Sequence, residues 1–177
     1  MVSPPAEQHG RHVRLVPLAQ THKDRTRTWA NDPDVTRLMG RARPVSPEEH
    51  DVFFEAIMRR DDCAFFAIEL NDARAHVGNV WLWDIDTRHR KAELRIVIGD
   101  AAARGKGAGT EAIDLLCRYG FERLNLHRIY AFVLSINPAA KKAFEMAGFQ
   151  HEGTLRDDRW SDDHFVDAHL FSRLSAS

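Results

Sequence analysis

The residues best suited to chemistry form one short stretch, Arg104-Gly105-Lys106-Gly107-Ala108-Gly109-Thr110. An apolar run, Leu94 to Gly99, precedes it, and Ala112, Leu115, Leu116 and Tyr119 follow at helical spacing, so the order reads strand, glycine-rich loop, helix. Alternating glycines let a backbone approach a ligand closely, and the free N–H groups of a helix's first turn favour an anion there. Two nucleotide loops can be tested against this stretch. A triphosphate loop needs four residues between its first Gly and Gly-Lys, then Ser or Thr for magnesium; here five residues separate Gly99 from Gly105, and Gly107 stands where the hydroxyl belongs. The dinucleotide fingerprint needs a third Gly at position 110, which is Thr110. What survives is an anion site of another kind, or a glycine turn that merely starts a helix.

Composition narrows the classes. The chain has 177 residues, enough for one domain with a substantial core. Lys plus Arg number 25 and Asp plus Glu 26, a net charge of −1, which argues against nucleic-acid binding driven by whole-molecule charge. Cys63 and Cys117 each sit in an apolar run and read as buried free thiols of a reducing compartment. No stretch approaches the ~20 apolar residues of a membrane span, and residues 1–10 lack an apolar signal core, so a cytoplasmic location is expected. The ten histidines are scattered without ligand spacing, and no metal site is expected.

The elements that must position the loop follow in order. Residues 1–10 are expected to be flexible, and residues 11–177 to form a single domain. A first strand covers 11–18, and a helix over 21–31 opens on Thr21 and Asp24 at capping-box spacing. A short helical turn is expected near 35–39. Ser46-Pro47-Glu48-Glu49 is a helix start, with Phe53, Ala56 and Ile57 as its buried stripe. Strands over 63–70, 76–85 and 92–98 have connections too short for crossovers and form an antiparallel meander. The loop's helix ends near 124–125, and a strand over 128–136 lies parallel to the one before the loop. Asn137 caps a helix that stops at Gly148. Strands over 149–156 and 164–174, joined by an aspartate-rich hairpin over 157–163, close the chain.

This order resembles the GNAT N-acetyltransferase superfamily, whose signature [Arg/Gln]-x-x-Gly-x-[Gly/Ala] is matched by Arg104, Gly107 and Gly109. Within it the chain is most similar to the ribosomal-protein N-terminal acetyltransferase branch (RimJ/RimL type). Trp29 to Val35, Arg90 to Leu94, Leu126 to Ile129, and Asn137 with Ala147 to Gly153 carry that likeness, which runs from about Arg14 to Leu174. The resemblance implies an α/β (α+β) GNAT fold: a mixed, mostly antiparallel sheet of about seven strands with a splayed parallel central pair, and about four helices. It implies acetyl-CoA as cofactor, its pyrophosphate on the N–H groups of Arg104, Gly105, Lys106, Gly107, Ala108, Gly109 and Thr110. Ile96, Val97 and Ile98 would line the pantetheine arm, and Asn137, Lys141 and Phe144 would complete the coenzyme site. Asn137 is equally well explained as a helix cap.

The resemblance also implies an N-acetyltransferase, a monomer or homodimer, that moves the acetyl group directly to a primary amine: a protein N-terminus or a small molecule. Such an amine must be neutral to attack, which costs little for an α-amino group of pKa about 7.7–8.0 and more for a lysine near 10.4. Glu93 is the candidate base, or else a strand glutamate paired with Arg95 or Lys91. A backbone N–H of the same strand, that of Ile96, would hold the oxyanion. Two usual proton donors are missing, since Phe144 replaces a Tyr and Ala140 a Ser, which leaves Ser135, Tyr130, water, or a thiolate that departs unprotonated. Trp29, Asn31, Trp81, Trp83 and Trp160 lie on segments that the family uses to wall the acceptor cleft. Asp157, Asp158, Asp162 and Asp163 either attract a cationic amine or form a solvated turn. The competing function is a coenzyme-A sensor that keeps the fold without the chemistry.

Overall fold

The fold is described from a computed structural model covering residues 5–40 and 43–176. In chain order its elements are β1 (Gln8–His9), β2 (Val13–Pro17), α1 (Lys23–Ala30), α2 (Pro33–Leu38), α3 (Pro47–Arg59), β3 (Ala64–Leu70), β4 (His76–Asp86) and β5 (Lys91–Ile98). They continue with α4 (Ala108–Glu122), β6 (Arg128–Leu134), α5 (Pro138–Met146), β7 (Gln150–Ser161) and β8 (His164–Leu174). The eight described strands make one sheet in the order β1-β2-β3-β4-β5-β6-β8-β7. Every pairing is antiparallel except β5 with β6. No helix among the described residues is long and apolar enough to cross a membrane.

The sheet's two faces carry different layers because strand side chains alternate. Ala92 and Leu94 of β5 join Ile113 and Leu116 of α4 in the larger core. Trp81, Phe65 and Ala67 meet Phe54 and Ile57 of α3 on the opposite face. Helix α3 starts as its sequence predicts, with Ser46 Oγ accepting from the Glu49 N–H at 3.1 Å and the Glu49 carboxylate accepting from the Ser46 N–H at 3.0 Å. Its buried stripe differs from the expected one: His50, Phe54 and Ile57 point inward, while Phe53 and Ala56 are exposed.

Other expectations are adjusted. Gln8 and His9 lie in the stretch expected to be flexible, yet they pair with Leu15 and Arg14, and the Glu111 carboxylate fastens the next turn through the N–H groups of Arg11 and His12. Thr21 makes no cap; the Ala19 N–H donates to His22 Nδ1 at 3.0 Å instead, and Lys23 opens α1. Strand β7 runs on to Ser161, absorbing most of the expected aspartate hairpin through a bulge between Leu155 and Arg159. Asp162 and Asp163 alone make the turn, both at positive φ (48° and 62°), a conformation that aspartate tolerates better than most residues. The described residues form eight strands and five α-helices, in line with the expected sheet of about seven strands and about four helices.

One packing contact ties the sheet to the layer above it. A Cβ built on Gly99 would lie 2.0 Å from the Trp29 ring, so the indole of α1 sits directly on the backbone at the end of β5. Gly99→Ala should therefore destabilise the protein by about 1–3 kcal/mol through overpacking. Adding Trp29→Leu should recover part of that loss in a urea-melt double-mutant cycle. Additive effects of the two substitutions would show that this contact does not hold β5.

Candidate active site

Strands β5 and β6 start as neighbours, with Lys91 opposite Arg128, Ala92 opposite Ile129 and Glu93 opposite Tyr130, and then pair no further. Both strands continue, to Ile98 and Leu134, so the sheet forks in its middle. The backbone groups lining the fork follow from register. Gly99 N–H donates to Val77 O at 3.0 Å, so the odd-numbered residues of β5 bond to β4. The N–H and C=O groups of Ile96 and the N–H of Ile98 consequently face away from β4, and beyond the Glu93–Tyr130 pairing no strand meets them. Unpaired groups inside a sheet cost free energy unless a ligand or water satisfies them.

The loop after β5 is an open cradle. Gly107 caps α4 at φ 86°, and Gly105 has φ 72°. Both are left-handed, a region that glycine reaches without strain. A Cβ at either would meet nothing within 4 Å, so the backbone surface here is bare. Among the described residues, no protein acceptor takes the N–H groups of residues 105–110. They converge with the positive end of α4, as an anion such as a pyrophosphate requires. Arg104 behaves differently: its N–H donates to Ala101 O at 3.3 Å, and its guanidinium to Ile98 O (3.0 Å) and Gly99 O (3.1 Å). It clips the loop to β5.

On the face away from α4 lies a cavity of about 310 Å³ under α1, α2 and α3, floored by Trp81, Val97 and Phe65. Trp81 stacks on Phe65 at 4.5 Å with 7° between the planes, and Trp29 forms a wall at 7 % exposure. Because side chains alternate, Glu93, Arg95 and Val97 share this face.

Residues 12–150 match the acetyltransferase (GNAT) domain family. The chain belongs to the GNAT acetyltransferase family. An uncharacterised N-acetyltransferase, p20, of Bacillus licheniformis is 31% identical over 154 residues, covering 82% of this chain and 83% of that one. A spermidine N(1)-acetyltransferase of Escherichia coli is 38% identical over 90 residues, covering 51% and 47%. Among solved structures, spermidine N-acetyltransferase from Vibrio cholerae in complex with CoA and spermine superposes with a TM-score of 0.85 at 25% identity, covering 92% of this chain and 95% of that one. The protein is thus an acetyl-CoA-dependent N-acetyltransferase, and the fork and the cradle both suit that coenzyme.

Within this GNAT site the expected residues fall into groups. Gly105 to Thr110 form the cradle, and Ile96 and Ile98 present backbone to the fork, while the Val97 side chain faces the cavity. Lys141 is exposed on α5 near Glu145, 4.0 Å away. Asn137 caps α5, its Oδ1 accepting from the Ala140 N–H at 3.0 Å. Phe144 is corrected from coenzyme contact to core: it is 3 % exposed and edge-on to Phe149 at 5.0 Å. Arg104 is likewise a loop staple, its N–H already taken.

Of the residues expected to wall an acceptor cleft, Trp29 and Trp81 line the cavity. Asn31 braces its wall, accepting from the Val45 N–H at 2.8 Å and donating to Val45 O at 3.0 Å. Trp83 pairs across the strands with Glu93, under the guanidinium groups of Arg60 (4.1 Å) and Arg95 (5.3 Å). Trp160 lies apart on β7, 54 % exposed and edge-on to Phe165. Ser135 is exposed past the end of β6, its N–H donating to Asp167 O. Glu93 accepts both Nε and Nη2 of Arg95 at 2.8 Å. Three partly polar residues that sequence reasoning passed over, His76, Asn79 and Thr26, form a chain behind the cavity: His76 Nε2 to Asn79 Oδ1 at 2.8 Å, and Asn79 Nδ2 to Thr26 Oγ1 at 3.1 Å. Burial holds the His76 pKa below its ordinary value. Only the spacing of His76 and Asn79 on β4 hinted at the pair.

Gly107→Val forces a β-branched residue to positive φ and aims its side chain into the cradle. The stability cost should be about 1–2 kcal/mol, and the KM for acetyl-CoA should rise at least about ten-fold, the loss of one hydrogen bond to a charged ligand. An unchanged KM in steady-state thiol-release assays would remove the loop from the coenzyme site.

Proposed function

We propose that the protein transfers the acetyl group of acetyl-CoA directly to a neutral primary amine held in a ternary complex, with the amine meeting the donor at the β5–β6 fork. The observation that carries this is the fork itself, which opens at Glu93 and Tyr130 with the acceptor cavity on the same face of β5. When bound, the coenzyme supplies an activated thioester. The chain's part is to hold its phosphates at residues 105–110, its arm along the Ile96 and Ile98 backbone, and its carbonyl oxygen toward an N–H of β5, for which Ile96 is suited.

Glu93 takes the proton from the amine in this proposal, directly or through water, and Arg95 orients its carboxylate. Among the proton sources for the departing thiol, Tyr130 is favoured over Ser135. It stands opposite Glu93, and burial, then the charges of Glu93 and Asp84, push its pKa up, so it stays protonated at neutral pH. Ser135 lies beyond the end of β6. Asn137 serves as cap, and any further role for it belongs to the same proposal. The resemblance to the ribosomal branch supports a protein N-terminus as acceptor, and the spermidine-acetylating relatives support a small-molecule amine. A sensor without chemistry has less support, since the residues at the fork retain acid and base groups.

A covalent acetyl-cysteine route is disfavoured. Burial pushes both Cys63 and Cys117 up to about 12, so neither is a thiolate near neutral pH. Varying amine and acetyl-CoA together should therefore give intersecting double-reciprocal lines; parallel lines would mean a covalent acetyl-enzyme. Glu93→Gln should lower kcat about 10²–10⁴-fold with little change in the KM for acetyl-CoA, the range for loss of a general base. An unaltered kcat would confine Glu93 to its ion pair with Arg95.

A further inference from the structure

The acceptor cavity is apolar, and its polar groups are already engaged. Glu49 supplies the only carboxylate among its described lining residues, and both oxygens are occupied. Arg43 donates Nη2 to Oε1 at 2.8 Å and Nη1 to Oε2 at 3.0 Å, and the Ser46 N–H donates to Oε2 at 3.0 Å. Asn79 is spent on His76 and Thr26. Four further carboxylates near this face are paired: Glu93 with Arg95, Asp84 and Asp62 with Arg60, and Asp51 with Lys23. On the hairpin that reaches toward α2, Asp162 meets Arg37 at 3.6 Å, and Asp158 is paired with Arg159.

A polycation would need several unpaired carboxylates here. Each ammonium buried without a partner would carry a desolvation penalty that the apolar walls cannot offset. The same walls favour a compact apolar body. About 310 Å³ lies at the lower end of small-molecule sites and suits one ring or branched chain. Trp81 stands opposite Arg95, and Arg95 is two residues from Glu93, about 6.6 Å along the strand. A short alkyl link thus spans from a ring on the Trp81 floor to an amine at the fork.

We infer that the acceptor is a primary amine carried on a single apolar body, aromatic or branched aliphatic, and that the site discriminates against polyamines. This rests on the acetyl-transfer reading and specifies its substrate class. The amine has two possible sources, a free arylalkylamine or an apolar N-terminal residue.

The test measures thiol release from acetyl-CoA with 2-phenylethylamine, a Phe-initiated tripeptide amide, glycinamide and spermidine. For 2-phenylethylamine or the tripeptide, kcat/KM should exceed that for spermidine at least about 100-fold, the equivalent of burying one unpaired charge; whichever of the two is faster identifies the source. Binding of 2-phenylethylamine should also perturb the fluorescence of Trp29 and Trp81 without coenzyme present. Phe53→Asp places a free carboxylate on the lining at a position already 41 % exposed. It should raise the KM for 2-phenylethylamine about ten-fold and lower that for spermidine. Spermidine matching the aromatic amine, glycinamide matching it, or Phe53→Asp leaving the preference unchanged would each overturn this inference while keeping acetyl transfer intact. Thiol release with none of the four would overturn the acetyl-transfer reading and this inference with it.

Discussion

The structure depends on a sheet that stops pairing in its middle. Past Glu93 and Tyr130 the strands β5 and β6 no longer meet, although both continue. A continuous sheet would satisfy those backbone groups, and giving that up is unfavourable unless the rest of the fold holds the strands apart. Several neighbours do so. Helix α4 packs beneath β5 through Ile113 and Leu116, and Trp29 sits on Gly99 from above. Arg104 then takes the Ile98 and Gly99 carbonyls, leaving fewer orphan acceptors at the strand's end. In the proposed coenzyme site, the groups still open are those a pantetheine arm would pair with, completing the ladder that folding leaves unfinished.

Charge on the acceptor face shows a second constraint. Arginines occur here as partners rather than as free cations: Arg43 on Glu49, Arg95 on Glu93, Arg60 on Asp62 and Asp84. The Arg43 and Ser46 hydrogen bonds hold Glu49 down to about 2, so it stays ionised and paired at any working pH. Paired charges at a cavity rim are worth little in stability, but they remove attraction for a second ammonium. Glu93 differs from the others in position, because its pair with Arg95 stands at the fork itself. Arg95 also lies near the Trp83 ring, which limits how the guanidinium can turn, and through it the carboxylate is aimed.

Much of this was legible in residue order. Ser46, Pro47 and Glu49 announced α3, Asn137 and Gly148 bounded α5, and the short links between β3, β4 and β5 required a meander. These signals are local, each satisfied by atoms a few residues apart. The misreadings share a cause: they concern residues whose role is decided by distant neighbours. Phe53 looked like core because it is aromatic, but the stripe of α3 runs through His50, and Phe53 borders a cavity. Aspartates 157 and 158 looked like a loop, yet they lie in a bulge of β7 between residues that pair with β8. Phe144 held the place of a familiar tyrosine and proved to be packing.

Arg104 is the most instructive of these. As part of a glycine motif beside an expected anion, its backbone N–H was expected among the phosphate contacts. In the fold it spends its donors on two backbone carbonyls, and in the proposed site the anion is left to the N–H groups of residues 105–110. That division has a physical logic. A guanidinium on a flexible stem would lose side-chain entropy each time it captured a ligand, whereas backbone N–H groups fixed by Gly107 at the α4 terminus have already lost theirs. Spending Arg104 on the scaffold therefore makes the cradle rigid before the coenzyme arrives. The same economy holds across the fork, where Asn31 is used on Val45 to set the acceptor wall. In both halves of the site, the side chains with the strongest hydrogen-bonding capacity shape the cavity, and backbone and apolar surface are left to meet the ligands.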